Sequence, residues 1–151
     1  MKKLILFLSF VSLSAVIASP CDHTENTFNC VFYKGNYDGD TLKVDIPNVH
    51  PILGSDIPIR LIGIDTPELI SANQCERVVA ELAKKRVEKL LFKAKNISLT
   101  SLKRGSFFRI VADVVIDGES LSGILLDEKL AIPYKSTANW CESKPYLKYI
   151  K

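Results

Sequence analysis

Hydrophobic positions recur along this chain with two different periods, and the switches between them mark out its elements. From Asn29 to Ile46 the chain reads as two strands, NCVFYKGNY and TLKVDI, around the turn residues DGD, because Asp-Gly between such segments is a strong hairpin signal. The next segment, HPILGSDIP, holds two prolines and a glycine and reads as a loop. A third strand, rich in isoleucine, follows in IRLIGID and is broken by Thr66-Pro67. From Gln74 to Ala94 the period changes. Val78, Val79, Leu82, Val87, Leu90 and Leu91 recur at helical spacing with lysines between them, which predicts an amphipathic helix of about five turns. NISLTSL and FFRIVADVVIDG then read as two further strands, the second ending in an Asp117-Gly118 turn, and SLSGILLDEKL reads as a short helix. The tail beyond it, with Pro133, Tyr134, Trp140, Pro145, Tyr146 and Tyr149, has no clear period.

Three strands, a helix, two strands and a small helix predict an α+β chain of one domain. Its expected architecture is a five-stranded OB-type β-barrel with a helix between strands 3 and 4 and a short C-terminal helix. Such barrels often bind oligonucleotides, but a fold alone does not establish a function. No internal repeat or low-complexity stretch complicates this reading.

The first eighteen residues, MKKLILFLSFVSLSAVIA, have the three parts of a secretory signal: basic Lys2 and Lys3, an apolar run, and a small-residue cleavage site ending at Ala18. The run falls short of the roughly 20 apolar residues of a membrane span. Pro20 argues against cleavage after Ser19 and against lipoprotein-type processing at Cys21. The expected mature domain is therefore 19–151, exported to the periplasm or exterior, monomeric and without stable membrane association. Removing Lys2 and Lys3 lowers the formal net charge from +3 to +1, so attraction to a polyanion must come from a local patch. Lys84, Lys85, Arg86, Lys89, Lys93 and Lys95 crowd the helical segment, although a solvated helix face is the commoner reason for such a run. The Lys103-Arg104 pair is a second basic feature.

Four cysteines in an exported chain suggest two disulfides. Three connectivities are open. Cys21 with Cys30, closing a short N-terminal loop, and Cys75 with Cys141, tying the tail to the body, is the favoured set. A zinc site is the weaker reading, because there is no Cys-x-x-Cys and His23 and His50 are far apart in sequence.

The candidate chemistry lies in three segments: YDGDT at 37–41, RLIGIDTPE at 60–68, and Arg109. Asp40, Asp65 and Glu68 stand at strand-turn junctions with no histidine or free thiol nearby in sequence. Three carboxylates of this kind suit a hard cation such as calcium, with a turn carbonyl, for example at Thr66, completing the shell. Each acid also has a plainer reading, as a hairpin-turn or helix-capping residue. Arg60 and Arg109 are harder to explain away. Each is expected inside an apolar strand, where a guanidinium must reach solvent or meet an anion. Two cations beside a carboxylate cluster describe a phosphate site.

These segments resemble the staphylococcal nuclease (thermonuclease) family of secreted, calcium-dependent nucleases, over Phe32 to Tyr134. The resemblance rests on DGDT, RLIGIDTPE and the arginine strand ending in DG. It implies an OB-type barrel, bound Ca2+, and hydrolysis of DNA and RNA phosphodiesters with low sequence specificity. It makes Asp40 and Asp65 calcium ligands together with the Thr66 carbonyl, with Asp38 supporting them from behind. Glu68 becomes the residue that activates or orients water, while Arg60 and Arg109 become phosphate clamps. Phe107 stands where family members commonly have a phosphate-contacting tyrosine, which implies weaker substrate binding. Tyr134 lies near an expected substrate-contacting tyrosine, and Lys84 and Lys85 are further candidate substrate contacts. Seventeen residues follow Tyr134, too few for the long C-terminal helix of the best-known members.

Overall fold

The computed structural model describes residues 21–137 and 140; the expected signal segment, Cys141 and the rest of the tail, where a long C-terminal helix is not expected, lie outside those residues. A two-residue strand β1 (Thr27–Phe28) comes first. The predicted hairpin follows as β2 (Phe32–Asn36) and β3 (Thr41–Asp45), with Leu42 and Val44 alternating into the core. The segment expected to be a loop contains one helical turn, α1 (Pro51–Gly54). Pro51 sits at its start, where a missing N–H costs nothing, and His50 caps it by accepting a hydrogen bond from the Ile52 N–H.

The predicted third strand is split. β4 (Ile57–Leu61) ends two residues before Gly63, whose φ of +77° turns the chain into β5 (Ile64–Asp65). Then come α2 (Gln74–Lys93), β6 (Ile97–Arg104), β7 (Ile110–Ile116), β8 (Glu119–Ser120), α3 (Leu121–Asp127) and β9 (Ile132–Pro133). Asn73 caps α2 through its side chain, which accepts from the Cys75 N–H at 2.9 Å. The face α2 buries is Val79, Ala80, Ala83, Val87 and Leu91; the two alanines were not part of the expected apolar stripe. Arg86 on α2 makes a bidentate pair with Glu128 at the end of α3, with Nε to Oε2 at 2.7 Å.

The five longer strands lie in the order β6-β7-β4-β3-β2 and realise the expected OB-like α+β fold. Short strands extend it, β1 beside β6 and β8 beside β7, so the main sheet has seven strands instead of five. All its pairs are antiparallel except β4 with β7, which run parallel. β5 and β9 form a separate antiparallel pair. Ladders do not close the sheet into a barrel: outside them, Val31, the residue before β2, donates its N–H to the Ile97 carbonyl of β6 at 3.0 Å. The expected Cys21–Cys30 disulfide is present, with Cα atoms 5.2 Å apart. Cys75 is disulfide-bonded as well.

Gly39 seats the β2–β3 turn. A Cβ there would lie 2.9 Å from both Ala83 Cβ on α2 and Thr66 Cγ2, closer than carbon atoms can pack. Gly39→Ala should therefore push the turn off α2 and cost about 1–3 kcal/mol of stability, as overpacking does. Urea denaturation followed by circular dichroism would show the midpoint fall; an unchanged midpoint would contradict this packing.

Candidate active site

Alternation along β4 decides where Arg60 goes. Ile59 and Leu61 point into the core, at 0% and 1% exposure, so Arg60 emerges on the opposite face. Two carboxylates meet it there. Arg60 Nη1 bonds Asp40 Oδ1, and Nη2 bonds Asp65 Oδ1 at 2.5 Å. In one continuous strand residues 60 and 65 would face opposite sides. The break at Gly63 is what brings Asp65 around to Arg60.

Asp40 is delivered by the β2–β3 turn. Asp38 Oδ1 accepts from the N–H groups of Asp40 (3.0 Å) and Thr41 (2.7 Å), folding the turn on itself. Tyr37 N–H donates to the Thr41 carbonyl across its base at 2.8 Å. Asp40 itself is 3% exposed, and its Oδ2 accepts from both the N–H and the hydroxyl of Thr66 at 2.9 Å. Burial pushes its pKa up to about 6; Arg60 and the Thr66 donors pull it down, and the Asp38 charge raises it.

Glu68 is exposed and does not join Asp40 and Asp65: among the described residues no three His, Cys, Asp or Glu side chains group as a metal site. The three-carboxylate cation site is thus corrected to a carboxylate pair with a separate glutamate. The pair still fits calcium by its chemistry. Both groups are oxygen donors, and they converge on one positive centre, the Arg60 guanidinium.

Arg109 is not inside a strand, as expected, but is the last residue of the five-residue loop between β6 and β7. β4 and β7 run parallel with Ile59 opposite Ile110, so Arg109 lies at the same end of the sheet as Arg60. Both arginines line one cleft of about 590 Å³, together with Gly63, Lys103, Ser106 and Tyr134. Among the described residues the Arg109 guanidinium makes no hydrogen bond or ion pair, so it is available to an anion. Tyr134 is held there by its N–H, which donates to the Gly63 carbonyl at 2.9 Å. Lys84 and Lys85 lie on α2 and do not line this cleft; Lys103 does. Phe107 and Phe108, expected to open a strand, form the exposed tip of the β6–β7 loop. The sequence signal for that turn was missed because it lacks the usual Asn-Gly or Asp-Gly.

Replacing Arg60 with Met would leave Asp40 buried without its cation. With chelator present at pH 7 the loss should be about 3 kcal/mol, the low end for a buried pair because Arg60 keeps some solvent contact. Asp40 is protonated more readily folded than unfolded, so its ionisation costs stability as pH rises from the ordinary carboxylate value, 3.8, through about 6. The Arg60→Met penalty should accordingly shrink at pH 5. Urea melts at both pH values check this, and a penalty independent of pH would count against Asp40 as its source.

A family model described as Staphylococcal nuclease homologue matches residues 58–151. Two proteins of Bacillus subtilis (strain 168) are similar over 97 residues. Endonuclease YncB is 37% identical, the match covering 62% of this chain and 43% of that protein. SPbeta prophage-derived endonuclease YokF is 36% identical, with 62% of this chain and 30% of that protein covered. The chain spans less than half the length of either relative.

Proposed function

The chain belongs to the staphylococcal nuclease homologue family, and from that premise we propose that it is a calcium-dependent nuclease that hydrolyses DNA and/or RNA phosphodiesters with low sequence specificity. The observation that carries this reading is the convergence of Arg60 and Arg109 on one cleft, with Asp40 and Asp65 behind Arg60. The two endonuclease relatives support the same reaction class.

In this mechanism the cleft receives the phosphodiester. Arg60 and Arg109 bind its nonbridging oxygens and take up the charge that grows there in the transition state. Asp40 and Asp65, with the Thr66 carbonyl, are the residues that would hold calcium, which would supply Lewis-acid chemistry there. Glu68, exposed and outside the carboxylate pair, accepts a proton from the attacking water. The water oxygen forms the new bond to phosphorus, the P–O ester bond breaks, and Arg109 stabilises the departing oxygen until solvent protonates it. Asp38 keeps Asp40 in place through the turn it caps. Phe107 offers no hydroxyl to the phosphate, so binding leans on the two arginines.

The test is degradation of single-stranded DNA, duplex DNA and RNA by the disulfide-intact protein, with calcium or a chelator, beside Glu68→Ser. Cleavage should need calcium, and the variant should lose about 10²–10⁴-fold in turnover while keeping its melting temperature. Full activity in the variant would overturn the role of Glu68; absence of cutting by folded, calcium-loaded protein would overturn the nuclease reading.

The same proposal includes export as a monomer. Its support is the basic and apolar pattern of residues 1–18 and the Cys21–Cys30 disulfide, a bond favoured in oxidising compartments. Among the described residues no helix is long and apolar enough to cross a membrane. Mass spectrometry of protein recovered outside the cytoplasm should find an N-terminus at Ser19. Recovery of the uncleaved chain in the cytoplasm alone would refute export.

A further inference from the structure

The loop that carries Glu68 is tied to the start of α2. Asn73 at the helix N-cap and Glu76 three residues later have the pattern of a capping box, in which the glutamate reaches back to the N–H of the cap residue. The structure uses the two residues differently. The Asn73 N–H donates to the Ser71 hydroxyl oxygen at 3.1 Å. Glu76 reaches past the cap: its Oε2 accepts from the Ser71 hydroxyl at 2.6 Å, and its Oε1 accepts from the Glu68 N–H at 3.3 Å. A glutamate that served only the helix end would not reach eight residues back along the chain.

Both main-chain polar groups of Glu68 are held by this arrangement. Its N–H meets Glu76, and its carbonyl accepts from the Ser71 N–H at 3.3 Å. Arg77, next to Glu76 on α2, clamps the same loop by donating Nη1 to the Ser71 carbonyl at 2.6 Å. Before Glu68 the chain is fixed from within, because Pro67 is fully buried and Thr66 is bonded to Asp40. After Glu68 it is not: Ile70 is 97% exposed, and Ala72 and Asn73 are exposed as well. A loop with so little buried surface takes its shape from its hydrogen bonds, and loses that shape when they go. The first turn of α2 is a firm anchor for them, since Asn73 caps it and Cys75 is disulfide-bonded.

Resting on the nuclease reading, we propose that Glu76 is a positioning residue: it fixes the Glu68 peptide against α2, so that the exposed Glu68 carboxylate keeps its distance to the attacking water. A general base must sit within hydrogen-bond reach of the proton it takes, about 2.6–3.2 Å. Misplacement by about 1 Å can cost ~10²-fold in rate. Among the described residues the Glu68 side chain makes no hydrogen bond or ion pair, so the protein holds this residue by its backbone. Glu76 acts there as an acceptor of hydrogen bonds. The peptide N–H and the hydroxyl it holds are both neutral, so its oxygens matter more than its charge.

The test is steady-state cleavage of labelled DNA by the full chain with calcium, comparing Glu76→Ala, Glu76→Gln, Glu68→Ser and the double variant Glu68→Ser/Glu76→Ala. Well below its melting temperature, Glu76→Ala should lower kcat about 10- to 100-fold with KM little changed. Calcium should raise its melting temperature as much as it raises that of the native protein, because Asp40 and Asp65 are untouched. Glu76→Gln keeps an acceptor oxygen for the Glu68 N–H and should restore most of kcat. In the Glu68→Ser background, Glu76→Ala should change kcat less than about twofold, since a residue that acts through Glu68 then has nothing to position. Equal losses with and without Glu68, full kcat in Glu76→Ala, or a loss in Glu76→Gln as large as in Glu76→Ala would each overturn the positioning role while leaving the nuclease reading intact. A native protein that cuts nothing would overturn the nuclease reading and this proposal with it.

Discussion

The site depends on one interaction: the guanidinium of Arg60 held between the carboxylates of Asp40 and Asp65. Three separate pieces of chain meet there. β4 supplies the arginine, the β2–β3 turn supplies Asp40, and the bend after Gly63 supplies Asp65 and the Thr66 donors. A buried carboxylate is costly unless it is paired and hydrogen-bonded, so each of the three pieces restrains the other two. Burial nevertheless keeps the pKa of Asp40 raised despite Arg60 and the Thr66 donors. The same carboxylate thus ties the stability of this corner to its electrostatics.

Packing around that corner is correspondingly tight. The turn that carries Asp40 rests on α2 through Gly39, where no side chain fits. The hydroxyl of Thr66 is spent on Asp40, and the main-chain N–H of Leu61 is spent on the Asp40 carbonyl at 2.8 Å. The opposite wall of the cleft is built differently. There the β6–β7 hairpin presents Arg109 without a partner among the described residues, and two outward phenylalanines in a strained turn. Strain of this kind persists only where the flanking structure holds it, here the long ladder of β6 and β7 and the Gly105 N–H bond to the Arg109 carbonyl at 2.8 Å. One wall is charge-paired, and the other offers its charges and rings outward.

The period of the apolar residues was enough to find the β2–β3 hairpin, α2 and the β6–β7 pair, because helices and strands bury faces that repeat every 3.6 or every 2 residues. It also singled out Arg60, since a cation between buried neighbours needs a partner. The pattern failed where a local signal was weak or misleading. α1 was hidden in a proline-rich segment, and Phe107 and Phe108 read as strand because their side chains favour strands while their backbone angles were not visible in the sequence.

By itself, then, the amino-acid sequence determined most of the elements that form and which acids and arginines are available, while the Cys21–Cys30 closure it favoured was settled among three pairings only by the fold. Tertiary structure alone decided which of those groups meet. Residues 60 and 65 share a face only because Gly63 redirects the chain, and Arg60 and Arg109 share a cleft only because β4 and β7 pair in parallel. Glu68, two residues beyond Thr66, is exposed, and among the described residues it forms no three-carboxylate group with the pair. Periodicity is a property of neighbours along the chain, whereas convergence of charge depends on pairings between segments far apart in it, and those follow from burying the whole core at once.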